Sequence, residues 1–270
     1  MKTEIIIATY NKPNYLRLCL QTCLAQTQLP TSICLADDGS GPETAALIAE
    51  FQKTSGDVQI RHSWHEDDGF RKCAALNKAV RESEADYLIF IDDDCLLHPT
   101  FVARHLALAN PKRFLTGSLI RLSPELTTEI LEAGAVTWSD TGRLEGWQPS
   151  KASDLAKATP YGPLINRVRE VLSPVSRNWQ GACASTHRDN ILAVNGFDET
   201  MTYGGLDKEF GARLINSGVN GRHIRYSAPV YHLDHSRSYE SAEMRRSNRE
   251  KIEKSRKLKL TWTEHGIQNA

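Results

Sequence analysis

Apolar and polar positions along the first hundred residues fall into two repeating patterns. The stretch EIIIA (residues 4–8) is short and apolar from Ile5 onward, which predicts a buried strand. In NKPNYLRLCLQTCLAQT (11–27) the spacing turns helical. Leu16, Leu20, Cys23 and Leu24 share one side, and Pro13 lies near the start, where proline is tolerated. SICLADDGS (32–40) predicts a second strand running into a polar loop, and PETAALIAEFQKT (42–54) a second helix. VQIRHSW (58–64) and CAALNKAVRESE (73–84) repeat the pair, and YLIFI (87–91) is a fourth strand. Strands alternating with helices over short connections predict a parallel sheet covered by helices on both faces.

In such sheets ligands collect at the carboxyl ends of the strands. Those ends carry ATYN, ADDGS, HEDDGFR and DDDC, three of them acidic. Neutral turn residues would serve a purely structural rim, so the concentration of carboxylates predicts a site. The phosphate-binding glycine patterns GxGxxG and GxxxxGK[ST] are absent. A phosphate bound here would therefore need a cation held by the aspartates.

Beyond residue 110 the pattern loosens. RFLTGSLIRL (113–122) predicts a strand pair or one bent strand. Residues 123–177 are richer in Pro, Ser and Gly and read as a long irregular segment, of the kind that forms lids or substrate loops. NWQGACASTHRDNILAVNGFDE (178–199) returns to strand, turn and helix. LDKEFGARLINSG predicts a helix with Phe210, Leu214 and Ile215 on one face and Gly218 as its stop. The segment 240–259, with eight basic and four acidic residues, is helical in composition.

Composition narrows the class. The chain has 270 residues, 40% hydrophobic and 24% charged, as a soluble globular protein does. Lysine plus arginine equals aspartate plus glutamate at 33 each, which gives no argument for a nucleic-acid partner. No apolar run reaches the roughly 18 residues of a membrane span, and the N-terminal run is too short for a secretory signal. Six scattered cysteines form no CxxC pair, so reduced thiols in a cytoplasmic protein are expected. Cys19 and Cys23, four apart on a helix, read as core rather than as half of a zinc site.

The chemistry centres on Asp92, Asp93 and Asp94. Side chains two apart on an extended chain share a face, so Asp92 and Asp94 point together. Two carboxylates on one side suit a hard divalent cation such as Mn²⁺ or Mg²⁺. One aspartate there could instead cap the helix that follows; three exceed what a cap needs. Several other motifs have structural alternatives. Asp38 before Gly-Ser is also a plain turn, Asp207 a plain helix cap, and Trp179 either core or a platform for a sugar ring. Gly181 either admits a sugar closely or ends a strand.

Five blocks taken in order resemble family 2 glycosyltransferases of the GT-A fold. They are IIIATYNKPNYLRLCLQTCLAQT, LADDGS, DGFRKCAALNKAV, YLIFIDDDCLLHP, and GACASTHRDNILAVNGFDE with GGLDKEFGARL. The last is also similar to the C-terminal motif of β-galactosyltransferases and bacterial chondroitin-type polymerases. The resemblance covers about residues 3 to 237. It implies a Rossmann-like, mainly parallel sheet flanked by helices, a smaller acceptor-side region and a C-terminal helix. The expected domain is 1–239, with a nucleotide-binding half (1–110) and an acceptor half (111–239), followed by a basic tail (240–270).

The resemblance also implies roles. Ala8 and Tyr10 line the base pocket and Asp38 contacts the uracil of the donor. Asp68, Phe70 and Arg71 lie near base and ribose, Asp92 faces the ribose, and Asp93 and Gly181 belong to the donor site. Asp94 binds the metal, with His235 completing its shell and His232 as the alternative. Asp207 is the catalytic base; Trp179, Gly205 and Leu206 lie on the acceptor side. Leu206 stands where the family commonly has glutamate, which puts acceptor recognition more in doubt than donor chemistry. Arg71 or Arg237 is expected near the phosphates.

The implied activity is metal-dependent inverting transfer of a hexose or N-acetylhexosamine from a nucleotide sugar, with uridine the expected base, to a glycan or lipid-linked acceptor in surface polysaccharide synthesis. A sugar-nucleotide nucleotidyltransferase is the enzymatic rival, but ATYNKPNY lacks its Gly-rich, Arg-containing loop. A catalytically idle nucleotide- or glycan-binding module is the second alternative. The basic tail, with an excess of four positive charges over 240–259, raises peripheral contact with the inner face of the cytoplasmic membrane.

Overall fold

The computed structural model describes residues 1–159, 161–235 and 242–269. β1 (Thr3–Thr9), α1 (Pro13–Leu24), β2 (Ser32–Asp37), α2 (Pro42–Thr54), β3 (Gln59–Trp64), α3 (Lys72–Glu82) and β4 (Tyr87–Asp92) follow the predicted alternation. Proline opens both α1 and α2, where its missing N–H leaves nothing unpaired. β5 (Cys95–Leu97) and α4 (Phe101–Leu108) come next, then β6 (Arg113–Thr116) and β7 (Leu119–Arg121). Residues 123–177 depart from the expectation of irregular chain. They contain α5 (Pro124–Ala133), α6 (Ala152–Ala158) and α7 (Pro163–Leu172). The Ser123 hydroxyl caps α5 by accepting from the Leu126 amide, and Gly134, at φ +63°, ends it. β8 (Ala184–His187), α8 (Arg188–Ala193), α9 (Leu206–Asn216), β9 (Asn220–His223), β10 (Val230–His232) and α10 (Ala242–Lys257) complete the order.

Among the described residues seven strands form one sheet in the order β3-β2-β1-β4-β8-β6-β9. All neighbours are parallel except β8, which runs antiparallel to both β4 and β6. Alternate strand residues face opposite layers. Ile5, Ile7, Ile33, Leu35, Ile89 and Ile91 pack under α1 and α2. Ile6, Cys34, Leu88 and Phe90 pack against α3 and α9. Burial on both faces is the physical reason the strands read as unbroken apolar runs. All six cysteines are buried free thiols.

RFLTGSLIRL proves to be one bent stretch serving two sheets rather than a hairpin. β6 belongs to the large sheet, while β7 joins β5 and β10 in a three-stranded sheet. The bend falls at Gly117, where a Cβ would lie 2.0 Å from the Cys183 sulfur. The small sheet and α5 enclose their own core around Leu96, Ile120, Ile130, Trp147 and Tyr231.

The tail helix α10 lies on α9. It buries Asn248, Ile252 and Ser255, which lie on one helical face. Among the described residues no helix is long and apolar enough to cross a membrane.

Candidate active site

The register of the large sheet aligns the ends of β1, β2 and β4. Ala8 lies beside both Ala36 and Asp92, and Thr9 beside Asp37. Since β1 has β2 on one side and β4 on the other, the chain splays apart at this point and leaves a crevice at the carboxyl ends. A cleft of about 500 Å³ occupies it. Ala8, Tyr10, Asp38, Phe70, Asp92, Asp93, Asp94 and His235, all anticipated from sequence, line this cleft together with Lys12, Lys72, Tyr203 and His232.

The three aspartates have three different surroundings. Asp92 meets the Lys72 ammonium at 2.5 Å. Asp93 turns back towards β1, accepting from the Thr9 hydroxyl at 2.9 Å and the Tyr10 amide at 3.4 Å. Burial, reinforced by the charge of Asp94, pushes its carboxyl up. Asp94 has His235 Nε2 at 2.9 Å from one oxygen and His232 Nε2 at 3.3 Å from the other, with Lys12 Nζ at 3.4 Å. Burial opposes its ionisation, but His235, His232 and Lys12 outweigh that and hold its carboxyl well below the usual range. Ligand atoms of Asp94, His232 and His235 all lie within 4.8 Å of one another. Both histidines therefore stand at Asp94, where the sequence favoured His235. Burial lowers the pKa of His232, which keeps its ring neutral as a metal ligand requires.

Asp38 closes the other end of the cleft. The Arg71 backbone amide donates to it at 3.0 Å and His65 Nε2 lies 3.2 Å away. Burial nonetheless raises its pKa to about 6. Gly39 follows with φ +91°, and a Cβ there would lie 2.5 Å from Asp67 Cα. Asp67 in turn accepts from the Tyr10 hydroxyl at 2.9 Å. A Gly39→Ala variant should therefore lose about 1–3 kcal/mol of stability, read as a lowered thermal midpoint, and should bind nucleotide more weakly because the 65–70 loop is displaced.

Asp207 sits in the first turn of α9, half-buried. Burial raises its pKa to about 6, against the pull of the Lys72 charge and a hydrogen bond from the Gly181 amide. A Cβ at Gly181 would lie 2.7 Å from Asp207 Oδ1, so the glycine's place is against this carboxylate and outside the cleft. Lys72 is held positive: its burial is outweighed by Asp92 and Asp207. This one ammonium thus links the aspartate cluster to Asp207.

Other expected residues lie elsewhere. Trp179, expected at the acceptor, is only 2% exposed and packs among Phe90, Phe114, Phe197 and Phe210. Its indole is core, with no face left for a sugar. Leu206 is also buried in that core. Gly205, at φ +104°, precedes α9 and lines a second cavity between α9 and α10 with Lys208, Arg245, Arg249 and Arg256. Asp68 points to solvent and pairs with Arg71 at 3.7 Å, so neither side chain lines the cleft. Lys72 and Lys12 supply the positive charge expected of Arg71. Arg237 lies outside the described residues. Lys72 was adjacent in DGFRKC, but only the helical phase of α3 decides that it, and not Arg71, turns inward.

The glycosyl transferase family 2 model matches residues 4–138, half of the chain. Chondroitin synthase of Escherichia coli is 25% identical over 256 residues, covering 86% of this chain but only 34% of that protein. Two solved structures share the fold. The mannosyltransferase PcManGT from Pyrobaculum calidifontis, solved with GDP-Man and Mn²⁺, superposes with a TM-score of 0.59 at 17% identity, over 88% of this chain and 58% of its own. GalNAc-T7, solved with UDP, GalNAc and Mn²⁺, gives 0.65 at 12% identity, over 94% and 48%. The expected fold is borne out: the chain belongs to glycosyl transferase family 2 and is built on the GT-A fold.

Proposed function

We propose that this chain is a metal-dependent inverting glycosyltransferase that moves a hexose or N-acetylhexosamine from a nucleoside-diphosphate sugar, with uridine as the base, to a hydroxyl of a glycan or lipid-linked saccharide. The observation that carries the reading is the convergence of Asp94, His232 and His235 beside a cleft bounded by Asp38, with Asp207 across Lys72. One carboxylate and two imidazoles fit a divalent ion, and two nitrogen ligands favour Mn²⁺ over Mg²⁺. When bound, such an ion supplies charge neutralisation to a departing diphosphate.

The chain's own groups supply the rest. Asp38 offers a buried acceptor to the edge of a pyrimidine, and Phe70 and Tyr10 flank the base. Lys72 and Lys12 give the cleft positive charge where a diphosphate would lie. Asp207, ionised above about pH 6, takes the proton from the attacking hydroxyl. Attack in line with the leaving group inverts the anomeric centre, so an α-linked donor gives a β-linked product. Retention of both Asp94 and Asp207 speaks against an idle binding module.

The test needs no acceptor. UDP is titrated into the protein with Mn²⁺ and with EDTA, and UDP-sugars are screened for slow hydrolysis. Binding that depends on Mn²⁺, with release of UDP from one sugar, is the expected result; equal affinity in EDTA would refute the metal assignment.

A further inference from the structure

Helix α7 is amphipathic in the wrong sense for a helix on the surface of a soluble domain. Its polar side faces the protein. Asn166 is buried and donates to the Tyr161 carbonyl at 3.1 Å. Glu170 is buried and accepts from the Tyr226 amide at 3.4 Å. Arg169 lies over the Tyr226 ring, 4.0 Å from its centre, and donates to the Ala156 carbonyl. The apolar side faces out: Leu164 is 75% exposed and Leu172 76%, with Ile165, Val168 and Val171 exposed between them. These positions fall on one stripe at helical spacing. A contiguous exposed patch of large aliphatic residues marks an interaction surface.

Charge decides what covers it. Glu170 is the one acidic residue in 161–177, and it is turned inward. Arg167, on the helix, and Arg177, five residues beyond its end, are both exposed. Burial lowers the pKa of Arg222, Glu170 opposes that, and Arg167 and Arg113 lower it further, so two more cations stand near the helix beside its one inward-turned acid. An aliphatic stripe on a segment whose exposed charges are all arginines matches the boundary between acyl chains and anionic headgroups. A protein partner would need a matching apolar face framed by acids.

We propose that α7 lies in the plane of an anionic lipid bilayer, with Leu164, Val168 and Leu172 in the acyl region and Arg167 and Arg177 on the headgroups. The basic helix α10, the part of the sequence that suggested membrane contact, turns its isoleucine inward instead and offers lipid no comparable stripe. The proposal stands apart from the donor chemistry.

Flotation with vesicles tests it. The chain should float with phosphatidylcholine vesicles containing phosphatidylglycerol and stay behind with phosphatidylcholine alone. Leu164→Ser/Leu172→Ser should weaken partitioning by about a hundredfold or more, and Arg167→Glu/Arg177→Glu should abolish the preference for phosphatidylglycerol. Both pairs are exposed, and UDP binding with Mn²⁺ in the same samples reports that the domain is intact. A wild-type chain that ignores both vesicle types overturns the proposal. So does a wild-type dimer that the leucine substitutions split while vesicle binding never occurs. Loss of UDP binding in the wild type would count against the donor reading and leave the flotation result standing.

Discussion

Asp207→Asn should cut glycosyl transfer by about 10²- to 10⁴-fold, the usual worth of a positioned general base, while leaving affinity for UDP nearly unchanged. Asparagine keeps the size of the side chain and its contact with the Gly181 amide, but it cannot accept a proton. The wild-type pH profile gives an independent check. Burial raises the Asp207 carboxyl to about 6, and the base works only when ionised. Turnover should therefore fall as pH drops through about 6 and level off above it. In the asparagine variant that acid limb should vanish along with the rate. Release of UDP from the active donor, followed across pH for both proteins, measures this. Full turnover in the variant would remove Asp207 from the chemistry.

Asp94→Ala should have the second large effect, on donor binding. Asp94 is a carboxylate shared by both histidines, and it is held ionised by them and by Lys12. Even partners that only orient metal ligands change affinity by about 10- to 100-fold, so loss of a ligand should weaken Mn²⁺-dependent UDP binding by about 100-fold or more. His235→Ala and His232→Ala should each show a smaller loss, because the charged Asp94 carboxylate remains to attract the cation. The measurement is a UDP titration at fixed Mn²⁺, repeated in EDTA. A variant whose affinity still responds to Mn²⁺ like the wild type would rule out Asp94 as a ligand.

The first hundred residues were legible because burial and charge leave direct marks in sequence. Strands covered on both faces are apolar along most of their length, so IIIA and YLIFI could be read at sight, and carboxylates at their carboxyl ends stood out against them. The short strand β5 left no such mark, since three residues carry no period. The segment 123–177 shows a different failure. Ser123, Pro124 and Gly134 are ordinary helix punctuation and were readable, but a Pro-, Ser- and Gly-rich composition hid them. Trp179 exposes the limit for single residues. Whether an indole packs or binds depends on what Phe90, Phe197 and Phe210 leave around it, and those neighbours come from β4, the turn after α8 and the helix α9. Choosing Lys72 over Arg71 required knowing where α3 begins to within one residue.

The small sheet has a consequence for how an ion would come and go. His232 on β10 pairs directly across from Cys95 on β5, and the Leu233 amide bonds the Asp94 carbonyl at 3.0 Å. Main-chain rungs thus fix the spacing of two ligands before any cation arrives. A chelator should therefore strip the centre of its affinity for nucleotide without unfolding the chain, lowering the thermal midpoint only by the binding energy of the ion, and fresh Mn²⁺ should restore binding without a refolding delay.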